Sequence, residues 1–143
     1  MFIQPTFCCA ILIAPESGLF ALEQRPSTDA DAPGRITCFG GSREAGESPV
    51  ACLQRELMEE LGFSARAEAI PASPEFILST PRGPAWFFLV DGPEPGSVAT
   101  QEAGYEVIWL ARAELYKAPL ADWHRVMFNA WLDGNSHAAV TAA

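Results

Sequence analysis

Gly41-Ser42-Arg43-Glu44-Ala45-Gly46-Glu47-Ser48-Pro49-Val50-Ala51-Cys52-Leu53-Gln54-Arg55-Glu56-Leu57-Met58-Glu59-Glu60-Leu61-Gly62-Phe63 reads as a glycine-started loop that runs into one sharply bounded helix. Ser48 is a good N-cap, Pro49 suits the first helical position and Gly62 supplies the stop. Between them lie mostly strong helix formers. At about 100° per residue, Val50, Leu53, Leu57 and Leu61 fall in one stripe, the face expected to pack against a sheet. Glu56, Glu59 and Glu60 stand at i, i+3 and i+4 and share a different face. Carboxylates at these spacings repel by about 0.2–0.5 kcal/mol per pair. They also lie toward the C-terminal half, where the helix dipole disfavours anions. A hard divalent cation would offset both costs, because Mg²⁺ takes oxygen ligands and keeps positions open for water and phosphate. Taken alone, three such glutamates equally describe a solvated acidic face, the commoner arrangement. The upstream residues decide between the two.

Counted from Gly41, five residues lead to Glu47 and seven more lead to Arg55-Glu56-Leu57-Met58-Glu59-Glu60-Leu61-Gly62-Phe63. This spacing resembles the signature box of the Nudix hydrolase family, which also has bulky apolar residues at the positions of Leu57 and Phe63. Seven specified residues and two apolar ones match without a gap, a coincidence on the order of one in 10⁸ to 10⁹ at a given start from average residue usage. A looser resemblance extends from about Cys8 to Trp131. It includes Gln24-Arg25-Pro26, and Glu106-Val107-Ile108-Trp109-Leu110 followed by Glu114-Leu115.

The resemblance implies an α/β/α sandwich with a mixed β-sheet and a loop–helix–loop catalytic motif. It also implies Mg²⁺-dependent hydrolysis of a phosphoanhydride bond in a nucleoside diphosphate derivative, with Mn²⁺ as an alternative ion. By motif position, Glu56, Glu59 and Glu60 become metal ligands, joined by the backbone carbonyl of Gly40. Glu47 and Arg55 become the pair that orients loop against helix, through a bidentate carboxylate–guanidinium contact. Arg25 is either a contact to a substrate phosphate or base, or a surface arginine without a role. The general base is Glu59 or Glu60 of the box or a glutamate on a later loop. Glu102 is the candidate there, with Glu94 and Glu106 as alternatives. Many members carry Pro-Gly-Gly before the box, whereas this chain has Phe39-Gly40-Gly41. Both glycines remain, so catalysis is expected to survive.

Outside the box, Phe7–Ala14 is a continuous apolar run that reads as a strand buried on both faces. Leu19–Gln24 reads as a returning strand, 26–34 as a loop, and 35–39 as a short strand ending at Gly40-Gly41, where the chain turns tightly or is closely approached. Phe76–Leu78 and Trp86–Val90 read as strands around a turn at 80–84, 91–104 as an exposed loop, and Glu106–Leu110 as a further strand. A short helix is expected at 113–117. A longer one is expected at 121–132, with an apolar stripe of Trp123, Val126, Met127, Ala130 and Trp131. The tail from Gly134 is expected to be loose. Trp86, Phe87, Trp109 and Trp123 are either core residues, the commoner role for strand aromatics, or stacking platforms for a base.

The chain has 143 residues, 49% of them hydrophobic, which suits a single domain spanning residues 1–143 with a real core. Its formal net charge of −9 repels polyphosphate backbones, so duplex nucleic acid is a poor partner; a small anionic substrate remains compatible when a cation lies between. Cys8, Cys9, Cys38 and Cys52 lack metal-ligand spacing and read as core residues in a reducing cytoplasm. The first residues lack a basic n-region, and no apolar stretch approaches membrane-spanning length. Homodimers are common among relatives, which makes a homodimer an expectation here. Two other readings share the fold. One is a non-catalytic nucleotide-binding or regulatory module, which commonly loses box carboxylates that this chain keeps. The other is an isoprenoid diphosphate isomerase, which needs further elements in a longer chain.

Overall fold

The structure, a computed structural model, describes residues 3–141. In chain order its elements are β1 (Phe7–Ile13), β2 (Phe20–Gln24), β3 (Ile36–Thr37), β4 (Phe39–Ser42), α1 (Pro49–Leu61), β5 (Phe76–Ser79), β6 (Ala85–Asp91), β7 (Glu106–Leu110), α2 (Asp122–Leu132) and β8 (His137–Ala139). The strands form one mixed sheet in the order β3-β2-β1-β6-β5-β8, with β4 added against β1 and β7 against β2.

β1 organises the sheet. It runs parallel to β6 over its full length, from Phe7↔Ala85 to Ile13↔Asp91. It pairs antiparallel with β4 at Phe7 to Ala10, and with β2 at Leu12 and Ile13. Its residues alternate between two cores, as the pleat requires. Cys8, Ala10 and Leu12 join Leu53, Leu57 and Leu61 of α1, while Cys9 and Ile11 join Met127 and Phe128 of α2. Both faces of the strand are therefore dry, which is why its sequence is apolar throughout rather than alternating. One helix on each face of a mixed sheet makes the α/β/α sandwich expected above.

Helix α1 is bounded as its sequence indicates. The Ala51 N–H donates to Ser48 Oγ at 3.1 Å. Gly62 adopts φ 63°, and its N–H returns to the Met58 carbonyl at 2.9 Å. A left-handed cap of this kind favours glycine because no Cβ opposes it.

Two expectations are corrected and one alternative is decided. Gly40 and Gly41 do not turn the chain but continue β4 opposite Cys9 and Cys8, so of the two readings it is close approach that requires them. A side chain at Gly40 (φ +148°) would strike the Cys8 carbonyl, and one at Gly41 would lie 2.6 Å from the Glu56 carboxylate. The short helix at 113–117 is a 3₁₀ turn, Arg112–Tyr116. Of the tail, residues 142–143 lie outside the described residues. In its described part, residues 134–141, β8 pairs in parallel with β5 from Ile77↔His137 to Ser79↔Ala139, so that segment is not loose. Backbone pairing stabilises that segment despite a composition of small residues.

Candidate active site

Arg55 is the hub of the loop–helix junction. Its Nε donates to Glu47 Oε2 at 2.7 Å and its Nη2 to Glu47 Oε1 at 3.0 Å. Nη2 also donates to the Ser42 carbonyl at 3.0 Å, and Nη1 donates to Glu56 Oε1 at 2.8 Å and Glu59 Oε2 at 3.4 Å. The guanidinium fork thus ties loop, strand end and helix together. Hydrogen bonds from Arg55, then from the Glu44 backbone, hold the Glu47 carboxyl down at about 2.

The three helix glutamates differ in environment. Glu59 is exposed, with its side chain 59% accessible. Glu56 is half-buried, and burial raises its pKa against the pull of Arg55. Glu60 lies deepest. Burial first, then the charge of Glu23, push it up to about 8, although the Gly40 N–H donates to its Oε1 at 2.9 Å. Glu56 and Glu60 are thus desolvated carboxylates, while Glu59 faces solvent.

Glu23 was not anticipated. It is only 6% exposed, and on β2 it alternates with Phe20 and Leu22 so as to share the α1 face with Ala21. Burial, opposed by Arg25 and reinforced by Asp29 and Glu102, pushes it up to about 7. Its signal was visible in the sequence as a charge inside the otherwise apolar Phe20-Ala21-Leu22 strand.

Arg25 is also held rather than free. Its Nε donates to Thr37 Oγ1 at 3.2 Å and its Nη1 to Asp29 Oδ2 at 3.1 Å. It lines a cavity of about 440 Å³ that also touches Gly40, Gly41, Arg82, Trp123 and His124. A space of that size accommodates a small organic ligand. Phe87 is core at 1% exposed, Trp109 donates to the Pro93 carbonyl at 3.0 Å, and Trp86 stacks at a tilt on Phe88. Of the four aromatics singled out, Trp123 and Phe87 line the cavity.

His124, also unanticipated, sits inside the α2 apolar stripe with both ring nitrogens sealed from solvent and unpartnered. Burial pushes it down to about 3, so the ring is neutral near neutrality. An unsatisfied buried polar group costs about 1–3 kcal/mol. His124→Leu should therefore stabilise the protein by about 1 kcal/mol, read as a higher midpoint in thermal unfolding; a lower midpoint would show that the ring has a partner.

The later glutamates separate clearly. The Gln101 N–H donates to the Glu60 carbonyl at 2.9 Å, which brings the loop bearing Glu102 to the end of α1. Glu94 instead accepts backbone N–H groups of Glu16 and Ser17 at 2.8 and 3.1 Å, and these bonds lower its pKa. Glu106 lies on β7 opposite Gln24 and is exposed.

Among the described residues, no three His, Cys, Asp or Glu side chains converge into a ready metal-ligand set. The donor chemistry nevertheless fits a hard divalent cation. Three carboxylates share one helix face, burial raises the pKa of Glu56 and Glu60, and the missing Cβ at Gly41 leaves Glu56 its room.

A NUDIX domain family model matches residues 3–131, and the chain belongs to the Nudix family. It is a Nudix hydrolase, of a class that cleaves pyrophosphate bonds and generally uses divalent metals. Solved structures agree on the fold. MutT from Bacillus halodurans is 20% identical with a TM-score of 0.68, over 96% of this chain and 89% of that one. MutT from Methanosarcina mazei Go1 is 19% identical with a TM-score of 0.68, over 93% and 97%. RenU, a Nudix hydrolase from M. smegmatis, is 17% identical with a TM-score of 0.67, over 93% and 86%. No curated protein matches the sequence. The expected homodimer finds no support in the fold or in these relatives. Among the described residues no helix is long and apolar enough to cross a membrane.

Proposed function

We propose that this chain hydrolyses a phosphoanhydride bond in a nucleoside diphosphate derivative, with Mg²⁺ held by Glu56, Glu59 and Glu60 and the Gly40 carbonyl. The carrying observation is the meeting of two features at Gly40-Gly41: the acidic face of α1 and the cavity lined by Arg25. A diphosphate bridging them would set its charge beside the carboxylate face and its organic moiety in the cavity. When bound, the metal supplies charge neutralisation of the phosphates and a lowered pKa for water.

The chain's own groups would do the rest. Glu47 and Arg55 keep the loop fixed to the helix, so the carboxylates hold their relative positions. Arg25 contacts a phosphate with the part of its guanidinium that Thr37 and Asp29 do not use. Glu102, exposed on the loop bonded to α1, takes a proton from the attacking water. The four cysteines are unpaired and buried, which suits a reducing, cytoplasmic setting.

Turnover in isotope-labelled water tests the bond assignment. The heavy oxygen should appear on a phosphoryl group of one of the two products, because water attacks phosphorus. Label on a carbon-bound hydroxyl, or no cleavage of any diphosphate derivative, would overturn the proposal.

A further inference from the structure

Asp29 ties its own loop and Arg25, four residues back, to Tyr105, 76 residues on. Its Oδ2 accepts from Arg25 Nη1 at 3.1 Å, from the Ala32 N–H at 2.8 Å and from the Asp31 N–H at 3.2 Å. Its Oδ1 accepts from the Tyr105 hydroxyl. Tyr105 in turn is tied to its own loop, where its carbonyl accepts from Thr100 Oγ1 and its N–H donates to the Glu102 carbonyl at 3.3 Å. The side chain of Asp29 is 8% accessible. A carboxylate this dry, filled on both oxygens, is a fixed point rather than a surface acid.

Arg25 shows what the fixed point holds. Thr37 takes its Nε and Asp29 its Nη1, while Nη2 makes no hydrogen bond to the described residues. The guanidinium therefore stands in one orientation on the cavity wall, with donor capacity left over. Arginine binds phosphate best when the fork is preorganised, because less rotamer freedom is lost on binding.

We infer that Asp29 is a positioning residue for substrate binding: it aims Arg25 at the substrate's phosphate and, through Tyr105, anchors the loop that carries Glu102. This rests on Arg25 being a phosphate contact. The sign of one substitution separates aiming from mere charge. Asp29 is an anion beside an anion-binding group, so removing its charge alone should tighten phosphate binding. Removing its aim should weaken it.

The experiment compares steady-state KM and kcat for Arg25→Ala, Asp29→Asn, Thr37→Val and the double variant Arg25→Ala/Asp29→Asn, using a hydrolysed nucleoside diphosphate derivative. Asp29→Asn should raise KM by about ten- to a hundredfold, with a smaller change in kcat. Thr37→Val should move KM in the same direction, and the double variant should be no worse than Arg25→Ala alone. An unchanged or lowered KM for Asp29→Asn, or full additivity in the double variant, overturns the inference. If Arg25→Ala itself leaves KM unchanged, the phosphate role of Arg25 fails instead. Should Asp29→Asn not fold, Thr37→Val decides, since it loosens the same guanidinium without touching the Asp29 hub.

Discussion

Glu60→Gln should lower turnover on the order of a thousandfold, about 4 kcal/mol of barrier, while making the metal-free protein more stable. The two effects share one cause. Glu60 is desolvated, faces the charge of Glu23 and has its pKa pushed up to about 8. Between its ordinary value and that one, the folded state binds more protons than the unfolded state. Stability is therefore full at low pH and is lost as pH rises through the folded value. Glutamine keeps the oxygen that accepts from Gly40 and removes the ionisation, so the loss should shrink. Some slope remains, because Glu23, pushed up to about 7, contributes in the same direction. With a cation present the ranking reverses, because ligand binding stabilises the wild type more. Thermal unfolding in chelator at about pH 6 and about pH 9, beside kcat with Mg²⁺, measures all of this. Near-normal turnover of Glu60→Gln, or a lower midpoint than wild type at the higher pH, would contradict it.

Removing Arg55 has the other large effect. Arg55→Ala should lower kcat/KM by about a hundredfold or more and reduce the unfolding midpoint by several degrees. It breaks the two-pronged bond to Glu47 and the link to the Ser42 carbonyl, and it leaves Glu56 and Glu59 without their shared counter-charge. Arg55→Lys distinguishes geometry from charge. A lysine ammonium keeps the charge but cannot reproduce the fork, so stability should partly return while activity stays near that of Arg55→Ala. Full recovery of activity in the lysine variant would mean that the guanidinium's shape is unimportant.

Much of this arrangement is legible in the chain. The caps of α1 are local chemistry, so Ser48 and Gly62 announce its ends. The apolar run at β1 reports burial on both faces, and the family resemblance carried by the box implies the Arg55–Glu47 fork. Pairing over long range is less legible. His137–Ala139 is a strand because β5 offers it an edge, which no property of those three residues reveals. Gly40-Gly41 leaves a tight turn and a close approach equally open in the sequence, and only the fold shows that the need is for space beside Glu56 and Cys8. Glu23 could have been found from strand alternation. Asp29 could not, because Ser27-Thr28-Asp29-Ala30-Asp31 is an ordinary loop composition and the partner Tyr105 lies 76 residues away.

The most direct measurement of the central claim is a phosphate-release screen with product identification. It would cover oxidised nucleoside triphosphates, ADP-ribose, sugar nucleotides, dinucleoside polyphosphates and capped ends, each with Mg²⁺, with Mn²⁺ and with chelator. At least one class should yield a nucleoside monophosphate or free phosphate in the presence of the cation and none in chelator. Binding without cleavage across the whole panel, or cleavage that persists undiminished in chelator, would contradict the account.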